Sequence, residues 1–291
     1  MTVLGVVFRP QFPPERLRPV AEAADGAGLD ELWLWEDCFL ESGIASAAAA
    51  LAWTSRLTVG IGVLPVPVRN VALTAMEVAT LVRLFPGRLK IGVGHGVQDW
   101  MAQIGAKVCS PVTLLREHLT ALRALLRGET VTTSGRYVSL DSVALDWPPT
   151  AAPAIYAGAI GPRTLRLSGE AADGTILVAG TTPDRLRAAV SLIDEGRSRA
   201  GRTDPHPVAI YLHAAAGADG AQRLSAEMAR YGYTSPEQCS AAGPAEQVAA
   251  AVRRWAEAGA STVVLQPTDD DPDPEGFVRF VAQEVKPLCD F

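Results

Sequence analysis

Short runs of β-branched and aliphatic residues alternate along the chain with longer stretches whose apolar residues recur at helical spacing. Val3 to Phe8 predicts a first strand. From Pro14 to Gly28, Leu17, Val20, Ala21, Ala24 and Ala27 share one face of a helix that Gly28 stops. Glu31 to Trp35 predicts a second strand and Ser42 to Trp53 an Ala-rich helix. Leu57 to Leu64 is apolar throughout, which predicts a third strand buried on both faces. A helix over Ala72 to Leu84 and a fourth strand over Arg88 to Val93 follow. After a longer loop come a helix over Thr113 to Leu126 and a hairpin over Glu129 to Leu145, turned at Ser134-Gly135. Four further strands fall at Ala154 to Ala157, Thr175 to Val178, Val208 to Ala214 and Thr262 to Gln266. Helices over Arg163 to Ala171, Pro183 to Ala200, Asp219 to Tyr231, Ala245 to Ala258 and Glu275 to Val285 separate or follow them.

Strands that alternate with helices imply βαβ units and a parallel sheet. Eight of them predict an α/β fold of the (β/α)8 TIM-barrel type, with insertion segments after the fourth and seventh strands. An open doubly wound sheet is the alternative, but no Gly-x-Gly-x-x-Gly follows the first strand. The segments Thr203 to Pro207 and Asp269 to Pro274 are too short to be linkers, so residues 1–291 read as one domain.

Composition narrows the function. The net charge of -6 and the absence of any Lys/Arg-rich run leave no electrostatic footprint for nucleic acid. No apolar stretch is long enough to span a membrane, and the N-terminal run is too short and uncharged for a signal peptide. Cys38, Cys109, Cys239 and Cys289 are scattered without CxxC spacing. That pattern suits a reducing cytoplasm and predicts no metal site.

In a barrel the chemistry sits at the C-terminal ends of the strands. Those ends carry Phe8 and Arg9, then Glu36, Asp37 and Cys38, then Gly60-Ile61-Gly62-Val63-Leu64-Pro65. They continue with Gly94-His95-Gly96 and with Gly158-Ala159-Ile160-Gly161-Pro162-Arg163-Thr164. Glycine permits close backbone approach by a flat or anionic ligand. The last segment reads as strand, small-residue turn and helix start, where exposed N–H groups favour a phosphate and Arg163 adds charge; an ordinary tight turn is the alternative. His95 is a candidate hydrogen-bond donor or acid-base group, against a structural role in a Gly loop. Asp37 is a carboxylate in an apolar run, expensive there unless paired or functional, against a role as a helix or loop cap. Glu36 reads as solvent-facing or paired with an Arg. No Gly-x-Ser-x-Gly occurs, and His118, His206 and His213 lack partners at ligand spacing. So few acid-base groups at the strand ends point to a cofactor that performs the hard step.

The run from Arg56 through Pro65 to Arg69-Asn70, then Ala79-Thr80-Leu81 and Pro86 to Gly94, resembles the luciferase-like monooxygenase superfamily. A second block, Ala157 through Pro162 with Leu165, Leu167 and Glu170 to Gly174, resembles it in the same order and spacing. Within it the chain looks most similar to the coenzyme F420-dependent branch, which includes methylene-tetrahydromethanopterin reductases and glucose-6-phosphate dehydrogenases. The resemblance implies a deazaflavin at the barrel mouth, backed by a bulged third strand with a non-prolyl cis peptide at Gly62-Val63. It also implies a cofactor-phosphate loop at Ala159, Ile160 and Gly161, and places Asp37 in an Asp-His pair after the second strand. Departures stand beside these matches: the His of that pair is Cys38, a Glu after the fourth-strand glycines is Val97, and an Asn three residues on is Trp100. Those changes disfavour glucose 6-phosphate. Trp33, Trp35, Trp100 and Trp147 point instead to a more apolar mouth for a bulky substrate.

The expectation is a cytoplasmic F420-dependent oxidoreductase that passes a hydride between the deazaflavin and an unidentified small molecule. Asp37, Cys38 and His95 are the candidates for proton handling. Phe8, Asp37, Gly62, Val63, Gly94, His95, Gly96, Gly158, Ala159, Ile160, Gly161, Pro162 and Arg163 are the candidates for cofactor binding. Arg9, Arg69 and Arg163 are candidates to meet the coenzyme's acidic tail. The alternatives are an FMN-dependent monooxygenase fed by a flavin reductase partner, a non-catalytic flavin-binding relative, and a phosphate-binding barrel without flavin. The resemblance further implies a homodimer.

Overall fold

The computed structural model describes residues 2–233 and 236–289. In chain order it runs β1 (Val3–Val7), α1 (Leu17–Ala27), β2 (Glu31–Leu34), α2 (Gly43–Trp53), β3 (Thr58–Pro65), α3 (Val71–Leu84) and β4 (Leu89–Gly94). Then come α4 (Gln98–Gln103), α5 (Pro111–Leu126), β5 (Val131–Ser134), β6 (Ser139–Val143), β7 (Ile155–Gly158), α6 (Pro162–Ala171) and β8 (Gly174–Leu177). The chain continues through α7 (Pro183–Arg199), β9 (Val208–Ala215), α8 (Gly220–Arg230), β10 (Ser240–Ala242), α9 (Ala245–Glu257), β11 (Thr262–Gln266) and α10 (Pro274–Phe280), which a π-helical turn extends to Val285. Local chemistry sets many of these boundaries. Gly28 ends α1 in the left-handed region at φ 77°, and the Asn70 side chain caps α3 by accepting from the Ala72 N–H. Proline opens α5, α6, α7 and α10, where its missing N–H costs nothing.

The strands pair in parallel in the order β9-β11-β1-β2-β3-β4-β7-β8, and pairing of β8 with β9 closes the ring. This is the expected eight-stranded (β/α)8 barrel. Two insertions interrupt the alternation where they were expected. After β4 come α4, α5 and the antiparallel β5-β6 pair; after β9 comes α8 with β10, which adds to β9 outside the ring.

Two short elements were not expected, α4 and β10. Neither Gln98–Gln103 nor Ser-Ala-Ala is long or patterned enough to announce itself. The hairpin turn also differs from expectation. Ser134 pairs with Ser139, and the turn spans residues 135–138 rather than pivoting at Ser134-Gly135. The Glu117 carboxylate fixes this by accepting the N–H groups of Arg136, Tyr137 and Val138 at 2.9, 2.8 and 2.9 Å.

The interior of the ring is filled by Val7, Trp33, Tyr156, Ile176, Ala209, Tyr211 and Val264. Trp33 is the largest plug, wholly buried, with its ring edge-on to Tyr156 and Tyr211. Its indole N–H donates to Glu31 at 2.8 Å, and Glu31 pairs with Lys90. The larger core lies between barrel and helices and includes Leu4, Val6, Leu32, Leu34, Ile61 and Ile91. Alternate strand residues thus serve the two cores, as the strand period requires.

A Cβ on Gly60 would lie 2.5 Å from Cδ2 of Trp33. Gly60→Ala is therefore expected to destabilise the fold by about 1–3 kcal/mol through overpacking. Urea unfolding followed by tryptophan fluorescence measures this, and an unchanged midpoint would contradict the plug.

Candidate functional site

A cleft of about 670 Å³ opens at the C-terminal ends of the barrel strands. Its wall divides by strand. The ends of β3, β4, β7 and β8 contribute Gly62, Val63, Gly94 to Val97, Gly158 to Gly161, Ile176, Val178 and Ala179. The ends of β1, β2, β9 and β11 contribute Arg9, Gln11, Trp35 to Cys38, Tyr211, His213 and Gln266. One half is small and apolar, the other aromatic and polar.

The small-residue half rests on Val63. The register of β3 on β4 slips between Ile61 and Leu64, which marks a bulge, and the Gly62-Val63 peptide bond is cis. The Tyr211 hydroxyl donates to the Gly62 carbonyl at 3.1 Å. A Cβ on Gly94 would stand 2.7 Å from a Val63 methyl, and one on Gly158 would stand 2.9 Å from the other. These glycines let the Val63 side chain wedge against bare backbone. A second cis bond, Cys38-Phe39, was not foreseen. Beside the wedge, the turn of residues 158–161 runs into α6, whose first turn no side chain caps. That turn therefore presents N–H groups without a side-chain cap at the positive end of the helix. His95 leans on the same turn, its Nε2 3.2 Å from Thr164 Oγ1.

In the polar half Arg9 is buried, against expectation of a free cation at the mouth. Its guanidinium binds Glu227 at 2.5 Å and the Pro267 carbonyl at 3.0 Å, and lies 5.9 Å over the Trp35 ring. Glu227 also accepts the Asp269 N–H at 2.7 Å, so the pair is fully engaged. Glu36 pairs with Arg69 at 2.6 and 2.8 Å and accepts the Gly43 N–H at the start of α2. Arg69 also holds Glu77. Arg9, Arg69 and Arg163 therefore do not converge as a basic patch.

Burial pushes the Asp37 carboxyl up, with the Arg9 charge pulling the other way. Burial, then the charges of Asp37 and Glu36, push the Cys38 thiol up, so it stays protonated. Burial pulls His95 down, so its imidazole stays neutral. These three, expected to lie together at the strand ends, all line the cleft.

Of the candidates for cofactor binding, Gly62, Val63, Gly94, Gly96, Gly158, Ala159, Ile160 and Gly161 also line it. Phe8, Pro162 and Arg163 lie outside the lining. Phe8 turns into the larger core against Phe12, because strand parity sends it away from the interior. Pro162 and Arg163 are exposed on the outer side of the first turn of α6. Trp35 and Trp100 line the cleft, whereas Trp33 is core and Trp147 is 71% exposed elsewhere. Tyr211, His213, Tyr233 and Gln266 line it without having been singled out. The inward parity of β9 and β11, once registered, marks Tyr211, His213 and Gln266, whereas Tyr233 reaches the cleft from the segment after α8.

Such a strand-end cleft, with a wedge-and-glycine wall beside a bare helix start, defines the chain as a ligand-binding (β/α)8 barrel. Residues 4–235 match the model of the luciferase-like monooxygenase family, and the chain belongs to that family. It is 32% identical over 211 residues to a 5,10-methylenetetrahydromethanopterin reductase of Methanolobus tindarius, covering 72% of this chain and 64% of that one. The match thus spans just under two thirds of that relative's length. An F420-dependent glucose-6-phosphate dehydrogenase of Microbacterium testaceum is 30% identical, covering 93% of this chain and 85% of its own. In three dimensions the coenzyme F420-dependent tetrahydromethanopterin reductase of Methanopyrus kandleri superposes with a TM-score of 0.84 at 23% identity, over 98% of this chain and 99% of that one.

Burial holds the imidazoles of His118, His206 and His213 down to about 4. In the unfolded chain a histidine takes its proton near about 6.5. The unfolded state then binds more protons between these values, so each histidine subtracts stability as pH falls from about 6.5 towards 4 and none above it. Histidine NMR should find all three neutral at about pH 5.5; a His213 midpoint near 6.5 would contradict its burial.

Proposed function

We propose that the chain is an oxidoreductase that holds coenzyme F420 in the strand-end cleft and exchanges a hydride between it and an organic substrate. One observation carries the reading: the Val63 wedge on bare glycine backbone continues directly into the uncapped start of α6. A flat ring fits against the first and a phosphate against the second. When bound, the deazaflavin supplies a two-electron hydride carrier. The Microbacterium and Methanopyrus relatives, both F420-dependent by name, support this choice of cofactor.

The chain's own groups position and protonate. Val63 and the glycines of β4 and β7 would set the ring plane, and residues 159–161 would hold the phosphate. On the opposite wall, Asp37 holds a proton more firmly than a solvated carboxyl, and the Cys38 thiol is a neutral hydrogen-bond donor. Both are placed to serve a substrate oxygen or nitrogen. His95, tied to Thr164, would couple the ring side to the phosphate turn.

A stripe of exposed apolar residues on and beside α3, with Val68, Leu73, Met76 and Leu84 at 42, 49, 57 and 64% exposure, supports a homodimer through that face. The scatter of Cys38, Cys109, Cys239 and Cys289 without CxxC spacing supports a cytoplasmic setting. Among the described residues no helix is long and apolar enough to cross a membrane.

Anaerobic fluorescence titration with F420 and with FMN tests the cofactor. F420 should bind and FMN bind weakly; a preference for FMN would replace this reading with an oxygen-using monooxygenase. Ile160 is 74% exposed, so Ile160→Glu should leave the melting temperature unchanged. Its charge beside the phosphate should weaken F420 by about tenfold. Asp37→Asn and Cys38→Ala should keep F420 affinity and lose turnover. Full turnover in either would remove that residue from the proposal.

A further inference from the structure

One side chain in the cleft is left unused by the cofactor reading. His213 stands at the inward end of β9, lines the cleft, and is only 3% exposed. Neither of its ring nitrogens has a hydrogen-bond partner among the described residues. Its ring meets Tyr233 edge-on at 5.3 Å, a contact that fixes its plane without satisfying either nitrogen. A buried imidazole offers one donor and one acceptor, and native proteins seldom leave both unmet. Gln266, its register partner on β11, lines the same cleft.

The surroundings narrow what the imidazole meets. Among the described residues Arg9 is the only Lys or Arg in the lining, and Glu227 already neutralises it. Glu36 is likewise engaged by Arg69, and Asp37 adds a carboxyl to the same wall. A phosphate or carboxylate brought to this half would meet no uncommitted cation. Around the mouth, Val97, Ile160, Val178 and Tyr231 are exposed at 45, 74, 43 and 54% and line the cleft. Trp35, Trp100, Tyr211 and Tyr233 extend the apolar surface inward.

We propose that His213 is a substrate-binding residue that holds an oxygen of an uncharged molecule whose body is largely apolar. A neutral ketone or alcohol on an aryl or alicyclic frame has this chemistry. The proposal deepens the oxidoreductase reading and rests on it, since that reading gives the oxygen-bearing carbon its place beside the cofactor wall. His213 acts by hydrogen bonding as a neutral imidazole, and Gln266 offers a second polar contact at the same pole.

The test uses the F420-loaded full chain and two probes, 1-tetralone and glucose 6-phosphate, with binding read by histidine side-chain NMR and by displacement. Tetralone should shift the ring resonances of His213, identified by their loss in His213→Phe, and glucose 6-phosphate should not. His213→Phe should leave F420 affinity unchanged and weaken tetralone by about tenfold, the loss of one buried hydrogen bond. His213→Gln, which restores a donor and an acceptor, should recover part of that loss. Equal tetralone affinity in His213→Phe, no His213 shift with tetralone, or tighter binding of the sugar phosphate would overturn the proposal. If the wild-type chain takes up no F420, the cofactor reading fails separately. Tetralone shifts at His213 in the unloaded chain would then still support this pole, and their absence would overturn it too.

Discussion

The site depends on a single packing constraint, the Trp33 indole set across the inside of the barrel. A ring of that size fits only where the neighbouring strands give up their side chains, and Gly60 of β3 does so, with Gly5 of β1 nearly touching the same ring. The indole N–H, out of reach of water, must have an acceptor. Glu31 provides it, and Lys90 offsets the buried carboxylate. With the lower barrel closed by this unit, the cavity can begin only above it. The next inward residues then decide the ligand. On β3, β4 and β7 these are Gly62 with Val63, Gly94 and Gly158, which present backbone and one branched side chain. On β2 and β9 they are Trp35 and Tyr211, followed by His213.

A second constraint is electrostatic. Apart from Asp37, the charges lining the cleft are settled in pairs. Arg9 with Glu227 ties β1 to α8 and, through Asp269, to the segment after β11. Glu36 with Arg69 ties the end of β2 to the loop before α3 and covers the start of α2. Breaking either pair would leave a buried charge without a partner, so these contacts hold the loops in place more than they attract a ligand. The uncapped turn at the start of α6 is the contrasting case, with N–H groups and no side chain across them. The two halves thus differ in electrostatic character, one with backbone donors unmet by side chains and the other with its arginine already paired.

Much of this was legible in the chain because it is written locally. Apolar periodicity, proline at helix starts and glycine at strand ends report the backbone directly, so the barrel, both insertions and the residue 158–161 turn could be read from neighbouring residues. The bulge at Gly62-Val63 came through the resemblance, since no local rule distinguishes that glycine from Gly60. What failed to show was direction. Phe8 and Arg9 are adjacent, and one faces the helices while the other faces the cleft. Parity is fixed only when β1 is registered between β11 and β2. Likewise Tyr211 and His213 read as ordinary members of an apolar run, and only the closure of β8 on β9 turns them inward. Arg163 reads as a phosphate ligand by proximity in sequence, and in the fold it is exposed and outside the cleft lining. Long-range pairs such as Arg9 with Glu227, 218 positions apart, have no local signature.

The departure of Cys38 from the histidine of the resembling enzymes gains a physical meaning in this setting. A histidine there could change charge near neutrality. The Cys38 thiol is instead held protonated by burial and by Asp37 and Glu36 beside it. His95 and His213 are held neutral by burial. Arg9 is neutralised by its partner. Asp37 differs from them, its carboxyl raised by burial and pulled back by the Arg9 charge. Hydride transfer needs the donor and acceptor carbons aligned, and only one proton moves to balance it. With Arg9 held by Glu227 and Glu36 held by Arg69, Asp37 is the carboxyl of this wall that has no ion pair among the described residues.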